Sequence, residues 1–332
     1  VKNISKSCGG EKACGKKAGS KKKVFNILFL LIVMTAFLRC SSVPSDIDAA
    51  EADESGIYGG DTTDKSVFTQ IAPDCVYLRS EDSNIPLIYH LLKIDLNDSI
   101  ALTAFPPKIY EGRGVKGEKT SDFAFRTGAF VALNATPFSL PSLKLFFSYK
   151  DMRIPAGVYS EGGSNFFLPV AKYSSISFFR NKAEISVSQT EAASFSESPV
   201  LTLGGFFTIL KDGKKYGSYI DKKDSRTALG VSRDGGTLYV LCAEGEKKNK
   251  SRGLSYDECA DVLLKYGAWE ALEMDGGGSV SLYINGKNML SYKSSRKVGL
   301  NLGFLRMFQS GYVAERDMQD GTYAVQKGNA SQ

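Results

Sequence analysis

Short runs of β-branched and aromatic residues, broken by turn-forming pairs, fill the chain from residue 86 onward and restrict it to a sheet-based fold. They read P-L-I-Y-H-L-L-K-I-D-L (86–96), A-L-T-A-F (101–105), G-A-F-V-A-L-N (128–134), S-I-S-F-F-R (175–180), A-E-I-S-V-S (183–188), T-A-L-G-V-S (227–232), T-L-Y-V-L-C-A (237–243) and S-V-S-L-Y-I-N (279–285). Asn285-Gly286 between apolar runs predicts a two-residue hairpin, because both positions must take positive φ. Arg233-Asp234-Gly235-Gly236 predicts a similar turn. Helices are fewer. Ser255 and Glu258 form the spacing of a capping box, an apolar stripe of Ala260, Leu263, Leu264 and Tyr266 follows, and Gly267 is a natural stop. A second helix is expected over 120–128, capped by Thr120 or Ser121. The fold class expected is α+β: one large mixed, strand-rich sheet with a few packed helices in a single domain.

Charge divides the chain. Residues 1–39 carry a net +8, so the remainder carries −2 of the overall +6. A mildly acidic body argues against a nucleic-acid partner, which needs a basic face. Lys21-Lys22-Lys23 precede an uncharged apolar run at 24–38, shorter than the ~20 residues of a membrane span. A basic segment before a short apolar one reads as an export leader over residues 1–39. Arg39-Cys40-Ser41-Ser42 follows and resembles a bacterial lipobox, with Cys40 as the lipidation site, although Phe37, Leu38 and Arg39 replace the usual small residues. The expectation is an exported protein, membrane-anchored at the cell envelope through an N-terminal lipid or signal anchor. Residues 40–65 are small and acidic, the composition of a flexible tether. The folded domain is expected over 66–315, and 316–332 as a polar tail.

The six cysteines leave Cys75, Cys242 and Cys259 in the body, an odd number without metal-ligand spacing. Two of them pairing and all three as buried thiols both remain open. His90 is the only histidine, which excludes a multi-histidine zinc site and obliges any Ser-His-Asp triad to recruit it. Lying in an apolar run, it is expected to be structural. No cofactor is required by the sequence, and acidic side chains leave Ca²⁺ or Mg²⁺ open.

The segment L-E-M-D-G-G-G-S (272–279) is the most suggestive of chemistry. Strand alternation puts Ala271, Glu273 and Asp275 on one face and Glu270, Leu272 and Met274 on the other. Two carboxylates then stand beside bare glycine amides, which can approach and bond an anion. The spacing is neither a dinucleotide fingerprint nor a phosphate-binding Walker loop.

Together with G-L-S-Y-D-E-C-A-D-V-L-L-K-Y-G-A before it, this segment closely resembles the phosphodiester glycosidase family, whose hallmark is a helix and then a strand ending like A-L-N-L-D-G-G-G-S. Further blocks fit in order: V-A-L-N-A-T-P-F (131–138) is similar to the family's A-I-N-G-x-F-F, S-R-T-A-L-G (225–230) to P-R-T-A-I-G, and L-Y-V-L-C-A-E-G (238–245) to L-x-L-L-V-V-D-G-R. The resemblance spans roughly 86–305. It implies a catalytic carboxylate at Asp275, and substrate binding by Arg226, Asn134, Glu244, Gly276, Gly277, Gly278 and Ser279; Glu273, on the same strand face as Asp275, is the candidate second catalytic carboxylate. Three positions depart from the pattern: Glu273 replaces an Asn, Glu246 stands where an Arg follows the Asp-Gly, and Thr136-Pro137 replaces a Gly-x pair.

The activity implied is hydrolysis of the sugar C1–O bond of a glycosyl phosphodiester of the N-acetylglucosamine-1-phosphodiester type. The bond breaks through an oxocarbenium-like state. A phosphate monoester, with its last pKa about 6, leaves without a strong acid. Arg226 would grip the phosphate with its planar fork, and Asp275 would serve the sugar or water. The alternative is a non-catalytic envelope lipoprotein that binds a glycan or a partner protein through a degenerate site, a reading encouraged by Glu273 and Glu246.

Overall fold

The computed structural model describes residues 67–82, 84–142, 149–191, 197–217, 219, 221–247 and 249–307, and the backbone of strands Tyr312–Arg316 and Tyr323–Lys327. All fall in the second of the chain's two units, Thr63–Gln332. The leader, Cys40 and the 40–65 tether lie outside the described residues. Tyr312–Arg316, at the end of the expected domain, pairs as a hairpin with Tyr323–Lys327, within the expected polar tail.

Eight strands form the largest sheet. From one edge they run Thr69–Ala72, Cys75–Asp82, Leu87–Asp95, Thr237–Ala243, Arg226–Val231, Glu270–Glu273, Thr208–Lys211 and Lys214–Lys215. A five-stranded sheet is built around Val131–Asn134, with Leu282–Ile284 on one side and Asn301–Arg306 on the other. A second five-stranded sheet is built around Leu201–Gly204, and a four-stranded one around Gly114–Lys116 and Met152–Pro155. The strand-rich α+β character holds. The strands are divided among several sheets, and the pairings within the expected mixed sheet are all antiparallel. For strands adjacent in sequence the reason is local: tight turns such as Arg233–Gly236 reverse the chain at once, whereas parallel neighbours need long crossovers.

Alternation decides what each face of the large sheet buries. Leu92, Ile94, Leu229, Leu238, Val240 and Leu272 point to a core shared with the two five-stranded sheets, where Leu133, Leu302, Phe304, Ile176 and Leu203 meet them. Leu91, Leu241, Ala228 and Ala271 point the other way, onto Cys259, Ala260 and Leu263 of the helix Tyr256–Lys265. A sheet covered on both faces explains why its strands read as nearly continuous apolar runs. Each buried leucine contributes about 2 kcal/mol of transfer free energy.

Among the described residues there are two α-helices. Tyr256–Lys265 has the expected capping box: the Ser255 side chain accepts from the Glu258 amide, and the Glu258 carboxylate accepts from the Ser255 amide at 2.9 Å. Thr120–Thr127 starts one residue earlier than expected, with Lys119 as its cap and no side-chain capping bond. The Thr120 hydroxyl instead donates to Asn301 Oδ1 at 2.7 Å, because a buried amide competes for it. The Asn285-Gly286 turn has φ of 49° and 76°, as the hairpin requires. Cys75, Cys242 and Cys259 are all free and buried. Among the described residues no helix is long and apolar enough to cross a membrane.

Candidate functional site

The strand Glu270–Glu273 ends where the large sheet meets the sheet around Val131–Asn134. The expected strand from 279 begins later, at Leu282, because Gly277–Ser279 forms a single 3₁₀ turn. Each of the three glycines before it answers a different demand. A Cβ on Gly276 would come 2.9 Å from the Ser225 carbonyl. Gly277 has φ +58°, a left-handed conformation that L side chains avoid. A Cβ on Gly278 would come 2.8 Å from the Arg296 guanidinium. The turn is therefore pressed between the strand that starts at Arg226 and a strap of residues 290–297.

Asn134 fixes this turn from beneath. Fully buried, it donates through Nδ2 to the Asp275 carbonyl at 2.5 Å. Its Oδ1 accepts from Thr227 Oγ1 at 2.9 Å and from the Ser281 amide at 3.0 Å. The Asp275 amide donates to the Ala135 carbonyl at 2.9 Å. Asn134 thus positions the turn, where the family resemblance implied substrate binding.

Asp275 is the reactive candidate. Burial raises its pKa to about 6, and bonds from Ser279 and the Gly276 amide, with the Arg296 charge, hold it from rising further. Its Oδ2 is buried without a hydrogen-bond partner among the described residues. Arg296 Nη1 lies 3.4 Å from Ser279 Oγ, and Ser294 Oγ donates to the Gly278 carbonyl at 2.7 Å. The Gly277 amide is spent on the Ser225 carbonyl at 2.8 Å. Of the three glycines, Gly278 lines an open cleft of about 560 Å³, with Glu246, Lys247, Tyr292, Lys293 and Arg296.

Glu273 occupies another environment. It points to the helix side of the sheet, only 1% exposed, and neither carboxylate oxygen has a hydrogen-bond partner of ordinary geometry among the described residues. Burial raises its pKa to about 8; the Arg226 charge and the Cys259 thiol oppose this only in part. Between about pH 6 and about pH 8, therefore, Asp275 is mostly ionised while Glu273 is mostly neutral. Arg226 stacks over the Tyr256 ring at 4.3 Å and donates to the Leu254 carbonyl at 3.0 Å and the Lys222 carbonyl at 2.6 Å. Alternation sends Arg226, Ala228 and Glu273 to the helix side and Thr227 to Asn134 and the turn, but the strand ends at Glu273, so Asp275 leaves the face it was expected to share with Glu273.

Glu244, expected to touch substrate, is 2% exposed and tied up internally. Its Oε1 accepts from His90 Nε2 at 2.8 Å and from the Ser291 amide at 2.9 Å, and its Oε2 accepts from the Ser291 hydroxyl. Burial raises its pKa, but these bonds outweigh it and hold the group below the usual carboxylate range. An ionised carboxylate only accepts, so His90 Nε2 donates to it, and Nδ1 of the same ring lies 2.8 Å from the Tyr77 hydroxyl. The chain Tyr77–His90–Glu244–Ser291 anchors the strap that bears Arg296. His90 is structural, as expected.

Arg296 escaped the sequence reading. The signal was the basic run K-S-S-R-K (293–297), which returns to the glycine turn only once the hairpin at Asn285-Gly286 has reversed the chain. It brings a cation to the cleft in which position 246 supplies a glutamate. Among the described residues no three His, Cys, Asp or Glu side chains gather as metal ligands.

Comparison with known proteins gives this geometry a context. A family model for phosphodiester glycosidases matches residues 128–305. A stretch of 79 residues is 34% identical to human N-acetylglucosamine-1-phosphodiester alpha-N-acetylglucosaminidase, covering 24% of this chain and 15% of that protein. The bovine counterpart matches equally, over 14% of its length. The solved catalytic domain of the zebrafish protein of that name, auto-inhibited by its pro-peptide, superposes with a TM-score of 0.51 at 15% identity, over 69% of this chain and 82% of that one. The fold is shared, while the sequence matches span well under a fifth of either curated relative.

Proposed function

The chain belongs to the phosphodiester glycosidase family, and from that premise we propose that it hydrolyses the C1–O bond of a glycosyl phosphodiester, with Asp275 as the working carboxylate. The observation that carries this reading is the state of Asp275. One oxygen side is held by Ser279, the other oxygen is buried and unpartnered, and a guanidinium lies beyond Ser279. With a pKa of about 6, the group is ionised at neutral pH yet basic enough to take a proton from water. In the proposed reaction Asp275 stabilises the oxocarbenium-like ring or activates water at C1. The electron pair of the broken bond leaves on the phosphate monoester. Arg296, with Lys247 and Lys293 of the same cleft, neutralises that leaving group. Arg226 and Glu273 support the scaffold in this reading and do not act on substrate. The substrate class named for the curated relatives, an N-acetylglucosamine-1-phosphodiester, is the first to try. The basic leader and uncharged run at 24–38 support placing the activity outside the cytoplasm, with Cys40 as the anchor.

The test is release of free sugar from a panel of sugar-1-phosphodiesters, including UDP-N-acetylglucosamine, by wild type and by Asp275→Asn. Release by wild type alone supports the assignment. Equal binding by both proteins with turnover by neither would sink it. That outcome would favour the second reading, a glycan-binding protein. The observation on that side is that the Gly276 and Gly277 amides are already bonded internally, to Asp275 and Ser225.

A further inference from the structure

A second cleft, of about 600 Å³, lies on the other side of the strap. Its lining includes Lys108, Lys116, Lys150, Lys297, Tyr110 and Tyr149, with Asp151 as the one acid. Asp151 is held by Lys297 Nζ at 2.6 Å, which leaves Lys108, Lys116 and Lys150 as cations in excess. The two tyrosine rings are 5.0 Å apart, with Lys108 over one and Arg113 over the other. The two clefts meet at consecutive residues: Arg296 lines the first and Lys297 the second. Arg153 bridges them, donating to the Lys297 carbonyl at 2.9 Å while lying close enough to Arg296 for its pKa to be depressed, first by burial and then by that charge.

This concentration of like charge runs against the rest of the molecule. Residues 40–332 carry a formal −2, yet the two clefts together present Lys108, Lys116, Lys150 and Lys297 on one side of the strap and Lys247, Lys293 and Arg296 on the other. Among the described residues their acids are Asp151 and Glu246. Like charges gathered on a surface repel one another, and a bound polyanion relieves that repulsion. We propose that the second cleft is a subsite for further phosphates of the substrate. The substrate class is thereby a polymer of repeated sugar phosphodiesters, with one linkage at Asp275 and its neighbours along the Lys297 side of the strap. This rests on the reading of Asp275 above for the position of the cleaved bond, but the binding itself does not depend on that reading. A concave, cation-lined cleft with ring faces fits a chain of phosphates and sugars. A membrane surface fits less well, since among the described residues no aliphatic side chain lines either cleft.

Linear inorganic polyphosphate, which contains no sugar and cannot be hydrolysed as a glycoside, probes phosphate binding apart from turnover, and paired lysine variants tell the subsite from the basic residues 1–39 and the Arg296 cleft. Titrated into the full chain, it is expected to bind with an affinity that falls steeply with salt. Lys116→Glu/Lys150→Glu should weaken it by about tenfold or more and flatten the salt dependence. Lys172→Glu/Lys182→Glu, outside both clefts and with the same change in net charge, should leave affinity within about twofold of wild type. Circular dichroism and thermal unfolding confirm that each variant is folded. Asp275→Asn should bind polyphosphate as wild type does, so loss of turnover and loss of this subsite are separable. Equal weakening by both lysine pairs would overturn the proposal, as would tighter binding to phosphatidylglycerol vesicles or to a single-stranded oligonucleotide than to polyphosphate. A polymeric glycosyl phosphodiester should then show a lower KM than a monomeric one in wild type, and Lys116→Glu/Lys150→Glu should erase the difference.

Discussion

Asn134 Nδ2 donates to the Asp275 carbonyl at 2.5 Å, joining residues 141 apart in the chain. That bond sets the direction in which the carboxylate leaves the backbone. The same side chain accepts from Thr227 and Ser281, so one buried amide ties together the large sheet, the sheet around Val131–Asn134 and the glycine turn. Asn134→Ala should leave two buried donors without an acceptor, at about 1–3 kcal/mol each. The urea midpoint should fall accordingly, and turnover should fall further than stability alone accounts for. Asn134→Asp keeps the acceptor but sets an oxygen against the Asp275 carbonyl. It should therefore retain more stability than the alanine variant and no more activity.

Asp275 should impose its titration on the reaction. Its pKa of about 6 makes the active, ionised form half-populated there. kcat/KM is expected to rise roughly tenfold per pH unit below that point and level off above it. A stopped assay from pH 4 to 8 reads this directly. A flat acid limb would remove Asp275 from the chemical step.

Glu273 should govern alkaline stability. Its folded pKa, about 8, is raised above that of the unfolded chain, so the protonated form is favoured by folding. The contribution is complete below the ordinary glutamate pKa and is lost as pH rises through about 8. Wild type should therefore lose stability between these limits, whereas Glu273→Gln should not lose it there. The variant is expected to be the more stable protein at pH 9, by an amount on the order of a few kcal/mol. Urea melts at pH 5 and pH 9 check it. Equal pH dependence in both proteins would show that Glu273 is ionised throughout.

The glycines should separate by mechanism. Gly277→Ala has open space but the wrong φ, so it should cost about 1 kcal/mol of backbone strain and change stability more than KM. Gly278→Ala displaces the Arg296 guanidinium instead. Its KM for a phosphodiester should rise, with little loss of thermal stability. If the two variants behave alike, the turn fails as a unit and Arg296 has no separate role at Gly278.

Much of the fold was legible as local pattern. The capping box at Ser255 and Glu258, the Asn285-Gly286 turn and the apolar strand run at 237–243 each depend on residues close in sequence, and each is found as expected. The D-G-G-G-S segment, with S-R-T-A-L-G upstream, also pointed to the family and to Asp275. The cap of the helix Thr120–Thr127 was misjudged because Thr120 found a distant partner, Asn301. No local rule contains that competition.

What the sequence determined by itself was the set of elements and the chemical inventory: which runs extend, where they turn, and which carboxylate stands beside three glycines. Tertiary structure decided which of those groups work together. Strand alternation sent Arg226 and Glu273 to the helix side, and the end of the strand at Glu273 left Asp275 in the turn. Burial removed Glu244 into a chain with His90, and the strap carried Arg296 onto Ser279. Hydrogen-bond partners and desolvation belong to positions in space, and those are fixed only when strands far apart in the chain are brought edge to edge.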